Sequence, residues 1–207
     1  MELRTDLALI SEWITKNSHV LDLGCGDGTL LAYLRDVNSV TGYGLEIDDD
    51  NIISCIKTGV NVIHTDLNHG LSDFSDYSFD YVVMTQAIQT ILQPDLLLLD
   101  MLRVGRQGIV TFPNFGHWRA RASLFFGGIM PISRALPSRW HETGNIHLCT
   151  LKDFEELCEQ LDIEVLRRAV VDTKHRTSWS MRLLPNLFGE IAVYRLRSKP
   201  VKRILPR

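Results

Sequence analysis

Long apolar runs, paired-cysteine motifs and low-complexity stretches are absent from this 207-residue sequence. The most apolar run, Leu96–Leu99, lies between two aspartates and falls far short of the roughly 18–20 residues of a membrane helix. Acidic residues within the opening stretch MELRTDLALISEWI lead us to expect no signal peptide. Four cysteines without a C-x-x-C pair predict reduced thiols in a cytoplasmic protein rather than a disulfide framework.

The composition is that of a globular chain, with 45% hydrophobic, 23% charged and only 8% aromatic residues. This apolar share supplies a sizeable core, which excludes intrinsic disorder for most of the chain. The length predicts one domain over residues 1–197, followed by a basic, flexible tail over 198–207. Within the domain, residues 113–150 are predicted to form an insertion that faces a substrate or a partner.

Charge is distributed unevenly along the chain. Residues 1–100 carry a net charge of −12 and residues 101–207 a net charge of +9. This split favours a cationic ligand on the first half and an anionic group or partner on the second. We expect no nucleic acid as partner, because the pI is 6.1 and no basic stripe with interleaved aromatic residues is present.

Short apolar runs alternate with helical periodicity in the first half, which predicts a mostly parallel α/β sheet covered on both faces. The predicted strands are 19–23, 40–47, 60–64, 79–84 and 108–112. Helices are predicted from the spacing of Leu3, Leu7, Ile10 and Ile14, through Leu31 and Leu34, and over 50–57 and 95–104. The second half is broken by prolines from residue 113 to 149. The pattern after residue 149 predicts a helix capped by Thr150 and strands over 163–172 and 188–196. A hairpin-like excursion is predicted between these strands, over 175–187.

A glycine-rich turn, VLDLGCGDG (residues 20–28), connects the first predicted strand to a helix. Such a turn lets the backbone pass close to a ligand, at the strand end where open α/β sheets bind ligands. Thr29 replaces the third glycine of the dinucleotide fingerprint, and the turn has no lysine for a Walker loop. Both phosphate-binding interpretations are therefore disfavoured.

Carboxylates lie where phosphate would need cations: Asp22 before the turn, Asp27 within it, and Glu46 and Asp66 at the ends of the next two strands. Glu46 follows Gly24 by 22 residues, close to the spacing at which an acid binds ribose hydroxyls. The pattern fits a cation that carries a ribose and no phosphate. S-adenosylmethionine has this chemistry.

At these residues the sequence resembles the class I S-adenosylmethionine-dependent methyltransferases, which implies a Rossmann-like fold with a seven-stranded sheet. The resemblance implies S-adenosylmethionine or S-adenosylhomocysteine as cofactor, with Gly24–Gly26 near the methionine moiety and Thr85 and Gln86 near the sulfur. It further implies Glu46 on the ribose and Ile47 and Asp66 on the adenine. The cofactor-binding residues expected on this basis are Asp22, Gly24, Cys25, Gly26, Glu46, Ile47, Asp66, Leu67, Thr85 and Gln86.

A closer resemblance covers residues 3 to about 197 and is carried by FPNFGHW (112–118), GIMPISRALP (128–137) and NIHLCTLKDF (145–154). These stretches are similar to the MetW family of methionine biosynthesis proteins. The resemblance implies a methyltransferase-like fold, and as partner the homoserine O-acyltransferase MetX, whose acyl transfer the family supports. We expect no membrane association, because no apolar run of the sequence approaches the length of a membrane helix.

Catalytic residues are not identified by the sequence, and whether the chain is an enzyme stays open. His117, His141 and His147 are candidate bases, although a structural role is favoured for each. His141, His147 and Cys149 lack the usual zinc spacing, so no metal site is expected. An active S-adenosylmethionine-dependent methyltransferase for small molecules is the alternative to a partner protein.

Overall fold

The computed structural model of the chain describes residues 5–172 and 179–199. Within these ranges one seven-stranded sheet carries helices on both faces. The strands are β1 (His19–Leu23), β2 (Thr41–Glu46), β3 (Val62–His64), β4 (Phe79–Thr85), β5 (Gly105–Pro113), β6 (Ile163–Val171) and β7 (Ile191–Ser198). The α-helices are α1 (Thr5–Trp13), α2 (Thr29–Asn38), α3 (Asp49–Lys57), α4 (Pro94–Val104), α5 (Trp118–Ala122), α6 (Leu151–Gln160), α7 (Trp179–Leu183) and α8 (Pro185–Phe188).

The strand order is β3-β2-β1-β4-β5-β7-β6. The first five strands of this order are parallel, and β7 is antiparallel to both of its neighbours. The predicted α/β fold of class I methyltransferases is therefore confirmed. The order reverses between β1 and β4, and such a switch point leaves a crevice at the carboxyl ends of the two strands.

Apolar side chains on alternating positions of the strands build a core on each face of the sheet. In β4, Val82 and Met84 pack into one core, whereas Tyr81 and Val83 pack into the other. All four are at most 4% exposed. A strand buried on both faces explains the near-continuous apolar run in the sequence.

The region before β7 differs from the prediction. The strand predicted to begin at Phe188 begins at Ile191, because Pro185–Phe188 forms α8, where proline suits the first helical turn. The excursion predicted over 175–187 is helical from Trp179, and residues 173–178 lie outside the described ranges. At the chain end β7 continues to Ser198, one residue past the predicted domain boundary, and residues 200–207 are not described.

The segment after β5 contains regular structure that the sequence pattern did not predict. Helix α5 passes directly into a π-helical turn, Ser123–Gly127. Residues 128–150 then form neither helix nor strand, and α6 begins with a capping box between Thr150 and Asp153. None of the helices in the described ranges is long and apolar enough to cross a membrane.

Candidate functional site

The turn between β1 and α2 depends on three glycines in the left-handed region, with φ of 67° at Gly24, 56° at Gly26 and 77° at Gly28. A Cβ atom at Gly24 would lie 3.3 Å from Ala87 Cβ, and one at Gly28 would lie 2.9 Å from Cys55 Sγ. At Gly26, by contrast, no heavy atom of the described part of the chain lies within 4 Å of the Cβ position. The outer two glycines are thus required by packing, whereas Gly26 faces open space.

Glu46, the last residue of β2, is bound to the glycine turn. Its Oε2 accepts the Gly26 N–H at 2.7 Å, and its Oε1 accepts the N–H groups of Ile47 and Asp48 at 2.9 and 3.0 Å. The side chain of Glu46 is buried, and three backbone donors orient its carboxylate. Since each carboxylate oxygen has two lone pairs, one acceptor position remains, on Oε2, for a ligand hydroxyl.

Asp22 lies in β1 immediately before the turn and is only 1% exposed. Neither of its carboxylate oxygens has a hydrogen-bond partner among the described residues. Burial, and then the negative charge of Glu46, raises the pKa of Asp22 to about 7. A buried carboxylate without a partner is costly, so this side chain is suited to a cationic or hydrogen-bond-donating ligand.

The end of β4 brings Thr85 and Gln86 to the same edge of the sheet. Gln86 has a left-handed backbone with φ of 56°, an uncommon conformation for a residue with a side chain. Thr111 in β5 supports it, because the carbonyl and the hydroxyl of Thr111 both accept the Gln86 N–H, at 2.9 and 3.1 Å. Strained backbone of this kind is concentrated at functional sites.

The residues expected to contact the adenine follow β2 and β3. Ile47 is 58% exposed beside Glu46, so its side chain is available to a ligand. Asp66 Oδ1 accepts the backbone and side-chain N–H groups of Asn68, both at 2.9 Å. Leu67 approaches Gly24, since a Cβ there would lie 3.9 Å from Leu67 Cδ1.

Three residues that sequence reasoning missed support this edge of the sheet. Cys55 Sγ lies 3.2 Å from the carbonyl of Gly26 and 3.8 Å from Cys25 Sγ. Thr111 holds Gln86, and the buried Gln89 donates its side-chain N–H to the carbonyl of Pro113, at the end of β5, at 3.2 Å. No motif marks these positions, because each lies on an element distant in sequence from the group it supports.

Two cavities flank this part of the molecule. One, of about 250 Å³, is lined by Gln86 together with apolar residues such as Phe115, Met130 and Trp140, and none of its described lining residues is titratable. The other, of about 540 Å³, lies between Leu67 and α4. Neither is lined by Asp22 or Glu46, so we assign the site from the hydrogen bonding and burial of the carboxylates and not from cavity size.

The three candidate bases lie in the insertion, and none of them is among the described residues that line the cavity with Gln86. His117 caps α5 by accepting the Arg119 N–H, and burial lowers its pKa. His147 Nε2 lies 3.3 Å from the carbonyl of Leu92, and His141 pairs with the adjacent Glu142. Among residues 5–172 and 179–199, no cluster of His, Cys, Asp and Glu has the composition of a metal site.

Solved structures with the same fold come from proteins of more than one activity. An S-adenosylmethionine-dependent methyltransferase from Archaeoglobus fulgidus superposes with a TM-score of 0.69 at 15% identity, covering 94% of this chain and 92% of that one. The [4+2]-cyclase SpnF superposes with a TM-score of 0.66 at 17% identity, covering 93% and 80%. At these identities the likeness establishes the fold alone.

Sequence comparison identifies the family. The bifunctional methionine biosynthesis protein MetXA/MetW of Rhodopirellula baltica is 35% identical over 200 residues, which are 92% of this chain and 32% of the relative. The chain thus spans about a third of the length of that curated relative. The profile of the methionine biosynthesis protein MetW matches residues 4–196. The chain therefore belongs to the MetW family of methionine biosynthesis proteins.

Proposed function

We propose that this chain binds S-adenosylmethionine, or S-adenosylhomocysteine, at the carboxyl ends of β1, β2 and β4, and that it supports a homoserine O-acyltransferase as its partner. One observation carries the ligand assignment: Asp22 is a buried carboxylate with no partner among the described residues, next to a second carboxylate and an open glycine turn. A phosphate ligand would be repelled by this arrangement, whereas a cationic nucleoside would be stabilised.

Each residue has a distinct role in this proposal. Asp22 carries the negative charge that faces the ammonium and sulfonium groups, and Gly24, Cys25 and Gly26 form the wall beside the methionine moiety. Glu46, preorganised by its three backbone donors, accepts from a ribose hydroxyl at the remaining lone pair of Oε2. The remaining contacts are assigned to Ile47, Asp66 and Leu67 at the adenine and to Thr85 and Gln86 near the sulfur.

When bound, S-adenosylmethionine supplies an electrophilic methyl group, but the residues nearby favour binding over transfer. The cavity that includes Gln86 is lined, among its described residues, by no group able to remove a proton from an alcohol or an ammonium acceptor. The fold is equally compatible with other roles, as the cyclase SpnF illustrates. A role as a partner protein therefore takes precedence over an active methyltransferase.

The proposed partner is supported by the curated relative, in which MetXA and MetW are parts of one chain. Fusion of two proteins replaces a bimolecular encounter by an intramolecular one, which is of use when the two act together. We place the chain in the cytoplasm, because all four cysteines are free thiols, as expected in a reducing compartment.

Two assays test the proposal. Titration calorimetry of the chain with S-adenosylmethionine is expected to show saturable binding, with NAD and ATP as negative controls. The acyl-transfer rate of the purified homoserine O-acyltransferase is expected to rise when the chain is added. No rise, combined with enzymatic release of S-adenosylhomocysteine from a metabolite extract, would favour the methyltransferase alternative.

A further inference from the structure

The insertion exposes two adjacent aromatic side chains that the protein's own described residues do not cover. Phe125 and Phe126 lie on the π-helical turn, each 83% exposed, with ring centroids 4.9 Å apart. An isolated exposed phenylalanine needs no explanation, but two in contact together present roughly 300 Å² of apolar surface. An apolar area of this size is comparable to the largest patch on a typical monomer, and such a patch is often functional.

Further apolar residues extend this area toward the rest of the insertion. Ile129 and Ile132 are 66% and 61% exposed. The turn and its continuation are held together, since Ser123 Oγ donates to the carbonyl of Ile129 at 3.0 Å. Ser123 and Ile132 also line one cavity of about 210 Å³. We refer to Phe125, Phe126, Ile129 and Ile132 as the phenylalanine surface.

Most charges around the phenylalanine surface are positive; Glu190, which lines the same cavity as Ser123 and Ile132, lies 3.8 Å from Arg119. Residues 118–150 contain four arginines, at 119, 121, 134 and 139, and before α6 only one acid, Glu142. All four arginines are exposed. A partner with an acidic rim around an apolar centre would match this surface, whereas a second copy of this chain would bring two basic rims together.

We propose that the phenylalanine surface is where this chain binds the homoserine O-acyltransferase, with the two phenyl rings as central anchors and the arginines steering an acidic face of the enzyme. This inference rests on the proposed function, because the choice of occupant depends on the fused MetXA/MetW relative. Aromatic side chains at the centre of an interface contribute most of the affinity, and charges at its rim contribute mainly to the association rate.

Binding of the full chain to the immobilised, purified acyltransferase tests the surface. The double variant Phe125→Ser/Phe126→Ser is expected to lose at least ~100-fold in affinity. Val37→Ser is the control, because Val37 is also exposed, at 51%, and lies near the end of α2, the helix that connects β1 to β2. Both variants are expected to keep the melting temperature and the S-adenosylmethionine affinity of the wild type.

A second pair of variants measures the contribution of the arginines to the association rate. Arg134→Glu/Arg139→Glu is expected to slow association about tenfold at low salt and to leave the dissociation rate nearly unchanged. Lys16→Glu/Lys57→Glu changes the net charge by the same amount at a distance from the insertion, and it is expected to have a much smaller effect.

The outcomes distinguish this inference from the proposed function. Suppose that the wild type binds the acyltransferase and raises its rate, and that the phenylalanine double variant does so equally. The phenylalanine surface is then not the binding surface for the acyltransferase, and the proposed function stands. Analytical sedimentation gives a further test. If the wild type sediments as a dimer and the double variant as a monomer, while both bind the acyltransferase equally, the phenylalanine surface serves self-association and the inference is overturned. If the wild type does not bind the acyltransferase at all, the proposed function itself fails.

Discussion

The backbone N–H of Gly26 donates to Glu46 Oε2 at 2.7 Å, so the glycine turn after β1 and the acid that ends β2 form one unit. The residue that leaves open space for a ligand also orients the carboxylate proposed to bind the ribose. Changes at either residue should therefore affect ligand affinity more than they affect folding.

Replacement of Glu46 by glutamine is expected to weaken S-adenosylmethionine binding at least tenfold, or about 1.4 kcal/mol. Both oxygens of the carboxylate accept backbone N–H groups, so either orientation of the amide directs an NH₂ group at a donor. Titration calorimetry measures the loss. Asp48→Asn is the matched control, because the one group its side chain accepts from among the described residues is the Asn51 N–H at the start of α3. An unchanged affinity in Glu46→Gln would show that the ribose contact is misassigned.

Gly26→Ala is expected to abolish most of the ligand affinity at a small cost in stability. The added methyl group enters open space, and the left-handed backbone costs ~1 kcal/mol. Gly128→Ala provides the same strain, since Gly128 has φ of 62° and also has no heavy atom within 4 Å of its Cβ position. Denaturation and calorimetry on both variants should give similar destabilisation but at least a tenfold loss of S-adenosylmethionine affinity only for Gly26→Ala. Equal affinities would mean that no ligand occupies this space.

Asp22→Asn is expected to change how stability depends on pH. The folded pKa of about 7 lies above the reference value of 3.8, so the native state binds more protons than the unfolded state between these values. The contribution of Asp22 to the free energy of unfolding is therefore fully present below about pH 4. It falls by up to roughly 4 kcal/mol as the pH rises through 7. The asparagine variant should lack this decline. Urea titrations at pH 5 and pH 8 measure it, with Asp36→Asn at the surface as control.

The same residue should couple ligand binding to proton release. A cationic ligand requires ionised Asp22, so the S-adenosylmethionine affinity is expected to rise about tenfold from pH 6 to pH 8. The affinity of Asp22→Asn should be lower and should not show this rise. Calorimetry in buffers of different ionisation enthalpy counts the protons released. A pH dependence identical in both proteins would exclude Asp22 as the group that binds the cation.

Arg103→Ala is expected to destabilise the fold by about 2 kcal/mol without changing ligand affinity. The guanidinium group donates to Asp100 and Asp76 at 2.8 and 2.9 Å and to the carbonyls of Phe74 and Leu71 at 2.8 and 2.9 Å. These bonds tie the segment before β4 to α4.

Urea denaturation measures the effect of Arg103→Ala. Arg106→Ala is the control, because Arg106 is more exposed and reaches Asp80 only at 3.7 Å. Arg103→Lys should restore little of the stability, since one ammonium group cannot reproduce the guanidinium fork. Equal stability of the two alanine variants would contradict the assigned role of Arg103.

Most of the fold was predictable because its strands are locally encoded. The first strand, His19–Leu23, agrees with the prediction at both ends, and Thr150 caps α6 as predicted. The short helices α5 and α8 and the π-helical turn were not predicted. Helices of four or five residues have too little periodicity to be read from sequence, and their stability comes from packing.

The sequence by itself determined that carboxylates follow the strands of an α/β sheet and that glycines line the first turn. Both features depend only on residue order and on strand alternation. Only the tertiary structure decided that Asp22 is buried without a partner, that three donors hold Glu46, and that Thr111 supports the left-handed Gln86. The hydrogen bonds of Gly26 to Glu46 and of Gln86 to Thr111 join residues 20 or more positions apart, and local sequence preferences do not specify such contacts or the burial of Asp22.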